Sequence, residues 1–318
     1  MFKTPILFLV FNRPDTTARV FQTIKAQEPK FLYVAADGPR DNKTGEFEKC
    51  EETRKIVIEN IDWPCEVKTL FREKNLGCGK AVSSAIAWFF ENVEEGIILE
   101  DDCLPHPEFF SYCTIMLEHY RYSNEVMFIG GDNFQVGKKR GNYSYYFSKY
   151  SHVWGWATWK RVWNNYSFTL EDFSEIDFDQ TLKRHFSKNE ELKYWKDLFL
   201  KMKQTKIDTW DYQVNFAIWK QNGVSVIPNV NLVSNIGFGS GATHTTENSS
   251  VANLMTDNIL PISHPPFIEI NRKADQFFFK KYIGKPYFTV IIFMRIKYFM
   301  LKLPYVSNVS KLINRSFL

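Results

Sequence analysis

A chain of 318 residues with 44% hydrophobic content and a formal net charge of +4 is large enough for one α/β domain or two smaller ones, and too apolar to be disordered. Its five cysteines, Cys50, Cys65, Cys78, Cys103 and Cys113, are odd in number and include no CxxC pair, which argues against a disulfide framework or a zinc site and fits reduced thiols in a cytoplasmic setting. Eight Lys and Arg but no Asp or Glu fall in Gln276–Leu318, so the rest of the chain carries −4, which speaks against a nucleic-acid binder.

From the N-terminus, Met1 leads within four residues into the strand-like PILFLVF, with no basic region and small-residue cleavage site, so no secretory signal is expected. A helix follows over DTTARVFQTIKAQ, with Asp15 as its N-cap, then the strand FLYVAAD, a charged helix from about Phe47 to Asn60, and the strand CEVKTLF. The alternation continues through a helix GKAVSSAIAWFFENV, a fully apolar strand GIILEDD, a helix HPEFFSYCTIMLEHY and a strand VMFIGG. It predicts a mainly parallel sheet with helices on both faces and a ligand crevice beyond the carboxyl ends of the strands. Asn12 and Arg13, Asp37 and Gly38, Arg72, and Glu100–Asp102 all stand at such ends.

The second half is less regular. It holds the tryptophan-rich SHVWGWATWKRVW, a polar helical stretch to about Thr205, the segment DTWDYQVNFAIWKQNG, a strand GVSVIPN and the glycine-rich loop IGFGSGATHTT. Trp156, Trp159 and Trp163 recur at helical spacing, which assigns at least two of them to the core. No repeat or linker interrupts residues 1–270, read as one domain with a regular first half (1–131) and a second half (132–270), which the resemblance given below implies to be the nucleotide-binding and acceptor-binding halves of a catalytic domain.

Residues 271–318 form a basic, apolar extension. Its PYFTVIIFMRIKYFMLKLPYV is interrupted by Arg295, Lys297 and Lys302, too charged for a comfortable span of about 20 apolar residues. An interfacial helix on an anionic membrane surface, flanked by Lys280, Lys281 and Lys285, is the expectation, at the cytoplasmic face; packing on the protein's own body is the alternative.

Three consecutive carboxylates, Glu100, Asp101 and Asp102, repel one another at the end of a buried strand, so a cation or a donor network must compensate. Mg²⁺ or Mn²⁺ in nucleotide sites is held by one or two carboxylates with phosphate oxygens completing the shell. The competing structural role for Asp101 or Asp102 is to cap the helix beginning near Pro105 or Pro107.

The segments PILFLVFNRPD, FLYVAADGPR, NLGCGKA and IILEDD, in this order, resemble the nucleotide-sugar glycosyltransferases of the GT-A fold, an α/β architecture. The resemblance implies Asp102 as ligand of Mn²⁺ or Mg²⁺, Glu100 and Asp101 as partners of the sugar nucleotide, Asn12 and Arg13 as nucleotide contacts and Asp37 as the acid reading the base. The glycine-punctuated REKNLGCGKA offers backbone N–H groups to phosphate, with Arg72, Asn75 and Lys80 beside them. The second half is similar to the inverting N-acetylglucosaminyltransferase I-like branch, through VWGWATWKRVW, Thr209-Trp210-Asp211 and the loop ending in His244. That likeness implies Asp211 as general base, Asp208 as the alternative base and His244 as a phosphate contact. It favours a UDP-sugar donor and a glycan or lipid-linked acceptor.

Inversion by single displacement needs one carboxylate to take the acceptor proton while a cation stabilises the leaving diphosphate. Trp154, Gly155 and Trp156 suit a sugar-acceptor wall, and the loop with Gly237, Gly239 and Gly241 suits a lid. Two other functions compete. A nucleotidyltransferase making nucleotide sugars would carry a glycine-rich basic loop where this chain has FNRPDTTAR, and a non-catalytic scaffold would not need both Asp102 and Asp211.

Overall fold

The computed structural model describes residues 2–204, 207–238 and 251–284. His244, Gly239, Gly241 and the apolar tail from Lys285 onward lie outside the described residues.

The first half runs β1 (Ile6–Val10), α1 (Pro14–Lys25), β2 (Phe31–Ala36), α2 (Glu46–Ile58), β3 (Glu66–Phe71), α3 (Cys78–Asn92), β4 (Glu95–Glu100), β5 (Cys103–Pro105), α4 (Pro107–His119) and β6 (Val126–Gly130). Strands β1, β2 and β6, and β4 between its terminal glutamates, are continuous apolar runs because helices cover both faces of the sheet, and nearly every residue in them is buried. In α1, Thr17, Val20, Phe21 and Ile24 make the i, i+3, i+4, i+7 stripe that packs on the sheet. The N-cap of that helix is Arg13, two residues before the expected Asp15, with Pro14 in its first turn, where a missing N–H costs nothing; Asp15 sits inside the first turn and is not the cap. The helix after β5 is capped by the side chain of His106, which accepts the N–H of Glu108, and not by Asp101 or Asp102.

The second half contains β7 (Tyr145–Ser148), β8 (Trp156–Trp159), α5 (Lys160–Trp163), α6 (Glu175–His185), α7 (Asn189–Lys203), α8 (Asp211–Lys220), β9 (Val224–Pro228), β10 (Val233–Asn235), α9 (Arg272–Phe278) and a π-helical turn Phe279–Gly284. The described strands form one sheet in the order β3-β2-β1-β4-β8-β6-β9-β7, with β10 paired to β5 beside it. Strands β1 to β4 and the pair β6–β9 run parallel, whereas β8 is antiparallel to both β4 and β6. The architecture is α/β with a mixed, mainly parallel sheet between helices.

The expected core placement of at least two of Trp156, Trp159 and Trp163 holds, but the antiparallel β8 supplies it in place of one continuous helix. Trp156 and Trp159 are two ends of a strand, and Trp163 closes the short helix after it. All three are buried; Trp156 is 1% exposed, stacked on Phe128 at 4.9 Å and facing Trp210 at 5.8 Å. It is therefore core and presents no face to an acceptor sugar.

Residues 272–284 pack into the body. Asn271 caps α9 by accepting the N–H of Ala274, Asp275 accepts the Ser148 hydroxyl at 2.6 Å, and Phe279 is buried in the main core. The packed body thus continues past residue 270. No described helix is long and apolar enough to cross a membrane.

Candidate functional site

The register of β1 on β4, with Leu9 opposite Glu100, brings the residues after each strand to one place. The Phe11 N–H donates to Asp101 Oδ2 at 3.1 Å, and Arg13 Nη1 donates to Asp102 Oδ2 at 2.6 Å while lying 3.9 Å from Asp101 Oδ1. The positive group that three adjacent acids demand is therefore supplied from within the chain. Burial by itself would lower the Arg13 pKa, but Asp101, Asp102 and Glu100 together raise it.

Strand β10 carries its following loop over this pair. Ile236 N–H bonds the Asp102 carbonyl at 2.8 Å, and Asn235 Nδ2 reaches Asp102 Oδ1 at 3.4 Å. A Cβ on Gly237 would stand 2.2 Å from Asp102 Oδ2 and 2.8 Å from Arg13 Nη1, so only glycine permits this approach. The described start of the proposed lid thus rests directly on the ion pair. Phe238 continues to Trp154, whose ring lies 5.9 Å away and also contacts Phe134 at 5.0 Å.

Trp154 is half-buried and remains beside the crevice. Gly155 has φ +64°, and its missing Cβ makes room for Val233, 2.7 Å from where that atom would stand, rather than for a sugar.

Around Cys78, at the start of α3, four carboxylates gather. Burial, followed by the charges of Glu100, Asp208, Asp211 and Asp102, pushes its thiol up to about 12. Glu100 is itself driven well above the ordinary carboxylate range by burial and by Asp102, Asp101 and Asp211, and burial beside Asp102 likewise raises Asp101. Asp211 opens α8, accepts the Thr209 hydroxyl and is half-buried, in reach of the same crevice.

Asp208 has a different task. Its two oxygens accept the N–H groups of Cys78 at 3.1 Å and Gly79 at 2.8 Å, closing the N-terminus of α3 from 130 residues away. As arranged, its oxygens hold a helix end, a structural task different from the expected one of alternative base. It also corrects the phosphate-loop expectation: the Leu76 N–H is taken by Asp37, that of Gly77 by Asn75, and the next two by Asp208.

Asp37 lies at the crevice but holds the loop, accepting Gly38 N–H at 2.9 Å and Leu76 N–H at 3.0 Å. Burial raises its pKa in spite of those bonds and the nearby Arg72. Asn75 Nδ2 bonds the Gly38 carbonyl, Arg72 bonds Ser84 Oγ at 2.8 Å, and Lys80 is exposed on the first turn of α3. Asn12 donates to Glu46 Oε1 at 2.9 Å, and Glu46 is in turn gripped by Arg40. Glu46, Arg40, Cys78 and Asn235 escaped the sequence reading, since no local pattern marks a side chain whose partner comes from a distant element.

Asp102 has one oxygen bound to Arg13 and the other facing Asn235 and Cys103, with Gly237 packed across them. Among the described residues no group of three or more His, Cys, Asp and Glu is arranged to hold a metal ion. As arranged, Asp102, the expected ligand of Mn²⁺ or Mg²⁺, has both carboxylate oxygens engaged by protein groups. A cavity of about 380 Å³ lies elsewhere, at the β7 edge, lined by Arg140, Tyr143, Tyr145 and Phe267, four strands from β4. It lacks the convergent carboxylates, so the strand-end crevice is the stronger candidate.

No family model matches the sequence, and no curated protein matches it. Solved structures are similar at low overlap. They include HddC from Yersinia pseudotuberculosis (11% identity, TM-score 0.33, covering 52% of this chain and 80% of that one) and a cytidylyltransferase from Leptospira borgpetersenii (13%, 0.31, 52% and 63%). A UDP-glucose pyrophosphorylase complexed with UDP-glucose is similar at 13% identity and TM-score 0.31, covering 51% of this chain and 78% of that one.

Proposed function

We propose that this chain is a transferase that binds a nucleotide or nucleotide sugar at the carboxyl ends of β1, β2 and β4 and transfers the glycosyl group to a hydroxyl. One observation carries the reading: the charge of Asp211, at the start of α8, acts on Glu100 and Cys78 beside the Arg13–Asp102 pair at the end of β4. In the proposed step Asp211 takes the proton of the acceptor hydroxyl. The freed oxygen bonds to the anomeric carbon as the bond from that carbon to the diphosphate oxygen breaks, and the nucleoside diphosphate leaves with the electron pair. Trp154 and Phe238 offer aromatic faces beside the crevice for a sugar ring. A UDP-sugar as donor, and a glycan or lipid-linked acceptor brought close by the basic tail, complete the reading suggested by the sequence.

Nucleotidyl transfer is the competing reading, because a crevice that holds a nucleotide sugar suits its synthesis as well. Asn12, Arg13 and Pro14 stand where such an enzyme's glycine-rich loop is expected, which favours glycosyl transfer. Product analysis separates the two. The chain is incubated with a panel of nucleoside-diphosphate sugars and saccharide acceptors, and separately with nucleoside triphosphates and sugar 1-phosphates. Glycosyl transfer liberates a nucleoside diphosphate in the first mixture. Pyrophosphate release in the second would transfer the assignment to nucleotidyl chemistry, and silence in both would leave a binding scaffold.

A further inference from the structure

We infer that Arg13 is the resident cation of this crevice, standing where a divalent ion was expected, and that a nucleotide's diphosphate binds here against a guanidinium without added metal. The inference rests on the nucleotide reading above, but its central claim concerns the occupant of Asp102.

Arg13 holds Asp102 at 2.6 Å and lies within 3.9 Å of Asp101. The pair is largely shielded, with side-chain exposures of 22% for Arg13 and 18% for Asp102, so water screens it weakly. Gly237 closes against both partners, and β10 pins that loop to the Asp102 carbonyl. A divalent ion seeking Asp102 Oδ2 must displace the guanidinium and this loop together. Guanidinium groups pair with phosphate in a forked geometry, and Arg13 retains enough exposure to meet one.

Two measurements on the full chain decide the matter. In the first, Mn²⁺ alone is titrated and followed by electron paramagnetic resonance. Wild type is expected to show no saturable site below millimolar concentration. Arg13→Gln should gain at least ~10-fold in affinity, Arg13→Lys should stay silent, and Asp102→Asn placed on Arg13→Gln should erase the gain. Saturable binding by wild type that is lost in Asp102→Asn overturns the inference, as does an Arg13→Gln variant that folds and gains nothing.

In the second, UDP, CDP, GDP and dTDP are titrated calorimetrically in EDTA and in Mn²⁺. The preferred nucleotide should bind with less than ~3-fold difference between the two, and Arg13→Gln should weaken it by ~10-fold or more. Binding that appears only with Mn²⁺ overturns the inference. If none of the four binds in either buffer, the nucleotide reading fails, and the Mn²⁺ titration still decides whether Arg13 holds the place of an ion.

Discussion

Asp208 accepts the backbone N–H of Gly79 at 2.8 Å, so a carboxylate from the segment before α8 serves as the cap of α3. The Cys78 N–H joins it at 3.1 Å, which places a full negative charge at the positive end of a 15-residue helix. Replacing Asp208 with Ala removes both acceptors and should cost about 1–2 kcal/mol, measured as a lower urea midpoint at unchanged slope. Asp208→Asn keeps one acceptor and should lose less. A fully stable Asp208→Ala chain that has lost all turnover would instead return this residue to the role of base.

Asp211, three residues after Asp208 at the start of α8, has the opposite expectation. Asp211→Asn preserves shape and the hydroxyl contact from Thr209, so folding and nucleotide affinity should stay near wild type. Glycosyl transfer should fall by about 10²–10⁴, the usual contribution of a general base. Equal loss of nucleotide affinity would show that the residue binds the donor.

Asp275 predicts a pH dependence. Burial raises its pKa from 3.8 to about 6 despite the Ser148 hydroxyl and the charge and N–H of Lys149. The folded chain therefore holds this proton more tightly than the unfolded one, so the stabilisation is complete below pH ~4 and is lost as pH rises through about 6. The swing is about 3 kcal/mol. Thermal melts of wild type and Asp275→Asn should diverge between pH 4 and 7, with the variant gaining relative to wild type as pH rises. A constant difference would show that Asp275 titrates normally.

Gly155 tests packing at the crevice rim. Its φ of +64° disfavours an L side chain, and an added methyl would meet Val233 at 2.7 Å. Gly155→Ala should cost about 2–4 kcal/mol, read from the denaturant midpoint. A loss below ~0.5 kcal/mol would mean that β10 shifts freely, and with it the loop over Arg13.

The alternating first half was legible because a parallel strand covered on both faces must be a continuous apolar run, and PILFLVF, FLYVAAD and GIILEDD are such runs. The strand-end positions of Asn12, Asp37 and Glu100–Asp102 followed from the same pattern. The core placement of the tryptophans was legible too, but not the elements that carry them. Trp156 and Trp163 are seven residues apart, a spacing that a helix explains as readily as the observed strand and short helix, and only the antiparallel insertion of β8 between β4 and β6 separates the two.

Order along the chain, the apolar runs and the requirement for a positive charge beside Glu100, Asp101 and Asp102 are properties of the sequence itself, since they depend on residue type and near neighbours. Which group meets that requirement is a tertiary matter. Arg13 and Asp102 are 89 residues apart, and Asp208 and Gly79 are 129 apart. Strand register and helix docking bring each pair together, and hydrogen bonding reaches only about 3 Å, so no local pattern can say which carboxylate finds a guanidinium and which finds a helix end.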